Sequence, residues 1–388
     1  MEIFDKDRCC GCTACIFVCP TNALELVEDI EGFFYPKLKK ELCINCGKCK
    51  NVCAFNKNKK VDRQPLVFAA RYKEREILSF SQSGGAFVAL SNAILEEEGI
   101  VYGCILDEKF NAIHTSADNK KQRDMMRGSK YVQSNLKNTF KEIKEILSNN
   151  EKIMFVGTPC QVSGLREYIG EQENIIYVDL LCHGVPSPKI WREHLEFLKQ
   201  KSGKFQKKKE IKEIVFRDKL KHRWEESIIR LKIEKKEYFD RLFSGLFYSN
   251  YTLRPACYNC PYKKDNLRGD ITIADFWGID KILPDFYDKK GTSLVLVHNE
   301  RGKKLFNNAK KYLDYRQVYN QDWMNFQMKE AATKPNNRDQ FWEDFQIRGY
   351  NYILKKYMKN TIWGNFKRNI KGAIYKMNFL IRDMKRGK

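Results

Sequence analysis

The chain has 388 residues, 43% of them hydrophobic, which is enough for a globular core and too long for one small domain. Its charged opening, MEIFDKDR, lacks the apolar core of a secretory signal, and no run approaches the ~18 apolar residues of a membrane span, so a cytoplasmic protein is expected. Fourteen cysteines in such a chain read as metal or redox ligands rather than disulfides, and a net charge of +22 bears on partners, not on fold.

The first predicted module spans residues 1–58. It opens with Cys9-x-x-Cys12-x-x-Cys15-x-x-x-Cys19-Pro20, and Cys43-x-x-Cys46-x-x-Cys49-x-x-x-Cys53 repeats the pattern with every cysteine displaced by 34 positions. This double run is the signature of a ferredoxin with two 4Fe-4S clusters. Three thiolates at i, i+3 and i+6 wrap one face of a cube, and the fourth is carried by the next turn to the other cube. One cluster is therefore assigned Cys9, Cys12, Cys15 and Cys53, and the other Cys43, Cys46, Cys49 and Cys19. Zinc sites come instead as paired CxxC units. Ala54 stands where the first run has Pro20, which removes no ligand. Cys10 aligns with Ile44 under the repeat, so it is read as a small buried side chain and not a ligand. Between the runs, ALELVEDIEGFFYPKL reads as a hairpin turning near Glu31-Gly32.

After a basic linker at residues 56–60, strands and helices alternate. Strands are predicted at 66–71, 100–106, 152–156, 175–181, 271–276 and 293–298, with a further pair at 211–217 and 227–233. Helices are predicted at 85–98, where Gly99 stops the chain, and at 136–147, 162–169 and 189–200. The pattern implies a mixed α/β (α+β) catalytic domain behind the ferredoxin-type module.

Within this domain no Walker-A sequence and no GxGxxG occurs. The segment SQSGGAF (81–87) puts two glycines before an amphipathic helix, a seat for a pyrophosphate or simply a turn. The basic stretch GKFQKKKEIK (203–212) reads as a solvated loop. Cys104, in VYGCIL, reads as core. Cys160 and Cys182 each follow a strand, where α/β domains gather ligands, and Cys257 and Cys260 form a CxxC on a turn. Together these four match the needs of a cubane cluster or a tetrahedral zinc; a redox-active CxxC is the third option.

SQSGG (81–85), GSKYVQS (128–134), GTPCQ (157–161), LLCHGVPSP (180–188), RPACYNCPYK (254–263) and GDITIADFWG (269–278) together resemble the coenzyme F-420 (deazaflavin) hydrogenase/dehydrogenase beta-subunit family. The resemblance covers roughly residues 65–310, divided into parts 65–148 and 150–310. It implies FAD beside a third 4Fe-4S cluster held by Cys160, Cys182, Cys257 and Cys260. It also implies that Ser83, Gly84 and Gly85 lie against FAD phosphates, with Lys130 and Thr158 nearby. Clusters carry one electron at a time, whereas a flavin collects two and passes a hydride. His183, beside Cys182, is a candidate proton source, and a purely structural hydrogen-bonding role accounts for it as well.

Residues 311–388 are expected to be helical and end in a basic tail. From Asn351 onward it carries eleven Lys/Arg and a single acid, Asp383, interleaved with aromatic and aliphatic residues. This suits an anionic membrane surface, an acidic partner, or packing on the domain itself; no nucleic-acid recognition motif accompanies the charge. The whole reads as an iron–sulfur flavoprotein oxidoreductase exchanging electrons between an acidic carrier, ferredoxin or flavodoxin, and an organic substrate, for instance in a surface-polysaccharide pathway. Direct use of the deazaflavin coenzyme, or service as an electron-transfer subunit without its own substrate, are the alternatives.

Overall fold

The computed structural model describes residues 5–57, 64–201, 210–263, 266–319, 323–324 and 326–358. Most of the basic tail, from residue 359 on, and residues 202–209 of the basic loop lie outside these. Among the described residues no helix is long and apolar enough to cross a membrane.

The 34-residue repeat survives in the backbone. Helix Ala14–Phe17 follows Thr13 at φ 65°, and its counterpart Lys48–Asn51 follows Gly47 at φ 71°. Gly11 and Asn45, also related by the repeat, are both left-handed. Each cysteine run thus wraps in the same way. Between the two helices, β1 (Leu24–Glu28) and β2 (Phe34–Leu38) pair antiparallel, with Leu24 opposite Leu38. The Asp29 carboxylate closes the turn by accepting from the amides of Glu31 (3.0 Å) and Phe33 (2.9 Å).

The second unit is built on a mixed eight-stranded sheet. Its strands are β3 (Leu66–Tyr72), β4 (Ile100–Leu106), β5 (Ala112–Ala117), β6 (Ile153–Gly157), β7 (Ile175–Leu180), β11 (Ile271–Asp275), β12 (Ser293–Val297) and β13 (Leu313–Val318). The order is β13-β3-β12-β11-β7-β6-β4-β5. Strands β4, β6, β7 and β11 run parallel to their neighbours among themselves, while the outer pairings are antiparallel. All residues of β6 and β12 are buried, as two covered faces demand. A smaller antiparallel sheet, β8 (Ile211–Val215), β9 (Ile229–Ile233) and β10 (Lys236–Asp240), packs with Trp191 and with helices Arg338–Arg348 and Tyr350–Tyr357. Because β13 joins β3, the sheet runs past the boundary expected at residue 310.

Helices Ala86–Leu95 and Glu300–Ala309 cover one face of the large sheet. On the other face, helices Thr139–Leu147 and Pro159–Ile169 bury Phe140 and Leu165 against Phe155 and Tyr177. Ala14 and Val52 of the cysteine-rich unit enter this same cluster, so the two units share a core. The two units also meet tightly at Gly164, where an added Cβ would lie 2.7 Å from both Cβ and Sγ of Cys12. Gly164→Val is therefore expected to destabilise the protein by about 1–3 kcal/mol through overpacking. Thermal unfolding without oxygen measures this; an unchanged melting temperature would mean that the helix simply moves aside.

Candidate metal centres and cofactor cavity

None of the fourteen cysteines is joined to another by a disulfide. Cys9, Cys12, Cys15 and Cys53 line one cavity, so the structure gathers three cysteines of the first run and the fourth of the second. Cys19, Cys43, Cys46 and Cys49 belong to the outer end of the unit. There Cys46 is exposed, Cys49 has Cys19 and Cys46 as electrostatic neighbours, and the Ala23 amide donates to the Cys19 sulfur at 3.3 Å.

Cys160, Cys182, Cys257 and Cys260 line a third site together with Thr158, His183, Arg254 and Tyr262. The fold assembles it from three places. Cys160 starts the helix after β6, capped by Thr158, whose hydroxyl lies 3.2 Å from the Cys160 sulfur. Cys182 follows β7, and Cys257 ends the short 3-10 turn Pro255–Cys257. Burial, reinforced by the neighbouring Cys182 and Cys260, pushes the Cys257 thiol well up. Four thiols crowded in a low dielectric are costly as anions unless a cation compensates them. Among the described residues no three His, Cys, Asp or Glu side chains converge tightly enough to hold one metal ion. Zinc would need its sulfurs about 2.3 Å from one point. Thiols that ring a gap fit a cubane, which brings four irons of its own.

A larger cavity of about 270 Å³ opens beyond the carboxyl ends of β6, β7 and β11. Ser83, Gly85, Lys130 and Thr158 line it, and so do Cys104 and His183. Helix Ala86–Leu95 starts at its edge and turns its positive dipole end toward it, with the Ser293 hydroxyl accepting from the amides of Gly84 (2.9 Å) and Ala86 (3.4 Å). Gly84 is not among the lining residues. An added Cβ there would sit 2.2 Å from the Ala70 carbonyl oxygen and 2.4 Å from the Ser293 amide nitrogen, so this glycine serves the close approach of the loop to β3 and β12. The Ser83 hydroxyl also points inward, donating to the carbonyls of Thr292 (2.9 Å) and Ala274 (3.2 Å). Lys130 donates to the carbonyls of Met125 and Arg127, and burial lowers its pKa to about 8.

Three buried polar atoms on residues that line this cavity lack partners among the described residues: His114 Nδ1, Arg127 Nε and Asp275 Oδ1. The Val156 carbonyl occupies His114 Nε2 at 3.2 Å, which makes that nitrogen the donor and leaves Nδ1 as a bare acceptor. Burial holds His114 neutral, with its pKa lowered to about 4. Orphaned donors and acceptors in one cavity fit a polar ligand that satisfies them. Sequence reasoning missed these residues, because a strand His and a loop Arg carry no motif. Cys104, read as core, packs against the apolar cluster around Trp191 and also lines the cavity near Lys130.

His183 lies in the wall between the large cavity and the third thiol site. Its Nε2 is 2.7 Å from Asn250 Oδ1, its ring meets Phe247 edge-on, and burial lowers its pKa.

Two comparisons of sequence identify the domains. Residues 150–320 match the family described as the C terminus of the coenzyme F420 hydrogenase/dehydrogenase beta subunit, and residues 8–57 match a 4Fe-4S dicluster domain. The chain carries both domains. The chain is also similar to two proteins of Methanocaldococcus jannaschii. One is an uncharacterized protein, 26% identical over 45% of this chain and 56% of its own length. The other is a coenzyme F420-dependent sulfite reductase, 30% identical over 43% of this chain and 26% of its own length. The chain thus spans about half of the first relative and a quarter of the second. Over 54 residues, 14% of its length, the chain is 37% identical to an uncharacterized ferredoxin of the same organism. A chain of the F420-reducing NiFe hydrogenase complex of Methanosarcina barkeri superposes over 78% of this chain and 94% of its own, at 18% identity and a TM-score of 0.46.

Lys219, which no motif announced, supports the glycine loop of the beta-subunit domain. Its ammonium donates to the carbonyls of Leu78 (3.1 Å), Ser81 (2.6 Å) and Ser83 (2.6 Å). Lys219→Met leaves the buried carbonyls of Ser81 and Ser83 unpaired, at about 1–3 kcal/mol each, while the Leu78 carbonyl keeps the Ser81 amide. Faster amide hydrogen exchange across residues 78–85 is the expected outcome; protection equal to the parent's would show that the loop holds without this anchor.

Proposed function

We propose that the chain is an iron–sulfur oxidoreductase that moves electrons between an acidic protein carrier and an organic molecule handled with FAD in the large cavity. One observation carries this reading: the three sites adjoin in series. The inner thiol ring of the dicluster domain shares Cys10 and Phe55 with the third thiol ring. That ring in turn shares Thr158, Cys182, His183, Gly184 and Val185 with the large cavity.

When bound, the clusters supply one-electron steps and FAD supplies the conversion to two-electron hydride chemistry. The chain's own residues do the rest. Lys130 and the positive end of helix Ala86–Leu95 offer positive charge to a pyrophosphate, and His114 Nδ1 and Arg127 Nε offer hydrogen-bonding capacity to the remainder of the cofactor. In this reading His183 holds a proton at the wall between the sites, with Asn250 fixing its ring. The protein purified without oxygen is expected to contain about twelve iron atoms and one FAD, falling to about eight iron in Cys257→Ser. Eight iron in the parent would remove the third cluster, and absence of flavin would remove the FAD site.

The carrier is proposed to dock at the outer end of the dicluster domain. Exposed Cys46 and Ile44 are flanked there by exposed Lys37, Lys40, Lys48 and Lys50, against Glu41 alone among the neighbouring exposed acids. Such a charge ring attracts an acidic protein and sets its association rate. Lys48→Glu with Lys50→Glu should raise the KM for reduced ferredoxin roughly tenfold at low salt, the scale of about 1.4 kcal/mol, and should leave turnover with a small dye unchanged. An unaltered KM would place the docking surface elsewhere.

A second reading, in which the deazaflavin coenzyme is the hydride partner, is supported by the family of the beta-subunit domain and by the sulfite reductase relative. Reduction of added coenzyme F420 by the dye-reduced protein decides between the two.

A further inference from the structure

Cys10 belongs to neither set of four thiols around it, yet it lines both the inner dicluster cavity and the third thiol cavity. Its thiol lies beside Cys12 on one side and Cys160 on the other, within reach of both sulfurs. Phe55 is the other residue common to the two walls, and it has no polar atom in its side chain. The backbone of Cys10 is fixed as well: Gln133 Nε2 donates to its carbonyl at 3.1 Å, and Arg254 holds Gln133 Oε1 at 2.9 Å.

The repeat had equated Cys10 with Ile44, but Ile44 is 63% exposed. The repeat therefore requires no buried apolar residue at this position; what differs is that one half of the dicluster domain faces water and the other faces the third site. A ligand sulfur is a thiolate without a proton, so any proton shared in these contacts belongs to Cys10. Hydrogen bonds to cluster sulfurs are one of the levers on cluster reduction potential.

We propose that Cys10 is a positioning thiol that couples the two neighbouring sites, its S–H donating to the Cys160 or the Cys12 sulfur and raising the potential of the cluster that sulfur holds. This rests on the reading that both rings hold clusters. The test uses the full chain, purified without oxygen, as the parent, Cys10→Ala and Cys10→Ser. Iron is counted first: a parent with fewer than about twelve irons overturns the cluster reading itself. At full iron content, redox titration followed by electron paramagnetic resonance should show a downward shift of midpoint potential for at least one inner cluster in Cys10→Ala. Cys10→Ser, which keeps a hydroxyl donor, should recover much of the shift. Potentials in Cys10→Ala that coincide with the parent's would leave Cys10 a space-filling residue and overturn the proposal. Loss of iron from both variants would do so too, by making Cys10 structural or a ligand.

Discussion

Everything in this molecule depends on how the dicluster domain is held against the beta-subunit domain, and Arg254 holds it. This guanidinium is 1% exposed and belongs to the same turn as Cys257. It donates to the carbonyls of Cys9 (2.6 Å) and Phe34 (2.9 Å) and to Gln133, lies 3.6 Å from the Cys9 sulfur, and stacks over Tyr35. A buried cation is tolerable only with its donors satisfied and negative charge close by. A thiolate-rich site supplies that charge. One residue thus fixes the first cysteine loop and, through its neighbours in sequence, the third thiol ring.

A second ionic clamp acts farther out. Arg338 pairs with Glu31 on the hairpin through both nitrogens and also bonds Tyr258, which follows Cys257. Burial pushes the Glu31 carboxyl up, while Arg338 opposes this. Together with the shared apolar cluster of Ala14, Val52, Phe140 and Leu165, these contacts give the two domains one interior. Electron exchange requires centres held at short, fixed separation, and a flexible tether would not provide that.

Much of the fold was legible. The buried parallel strands announce themselves as apolar runs, and the helix after SQSGG shows its spacing. Strands β5, β10 and β13 were missed for a common reason. They lie at sheet edges, where Thr115, Lys236 or Arg316 replaces the apolar residues that mark a covered strand. The wall residues were less legible still. His114, Arg254 and the loop anchor Lys219 act through atoms that only meet after folding; Arg254 opens the RPACYNCPYK segment, but nothing there announces its contacts with Cys9 and Phe34.

The sequence by itself determined the cysteine pattern. Spacing within a run and a 34-residue repeat fix which thiols can reach a common point, because they act through local backbone geometry. It also marked the four later cysteines as a set, through motifs tied to strand ends. Only the tertiary structure decided that these sites adjoin, that Gly84 serves packing while its neighbours face the cavity, and that Cys10 stands between two thiol rings. Those facts are distances between segments far apart in the chain. They are set by burial, by close backbone approach at Gly164 and by the cation of Arg254, none of which a linear pattern encodes.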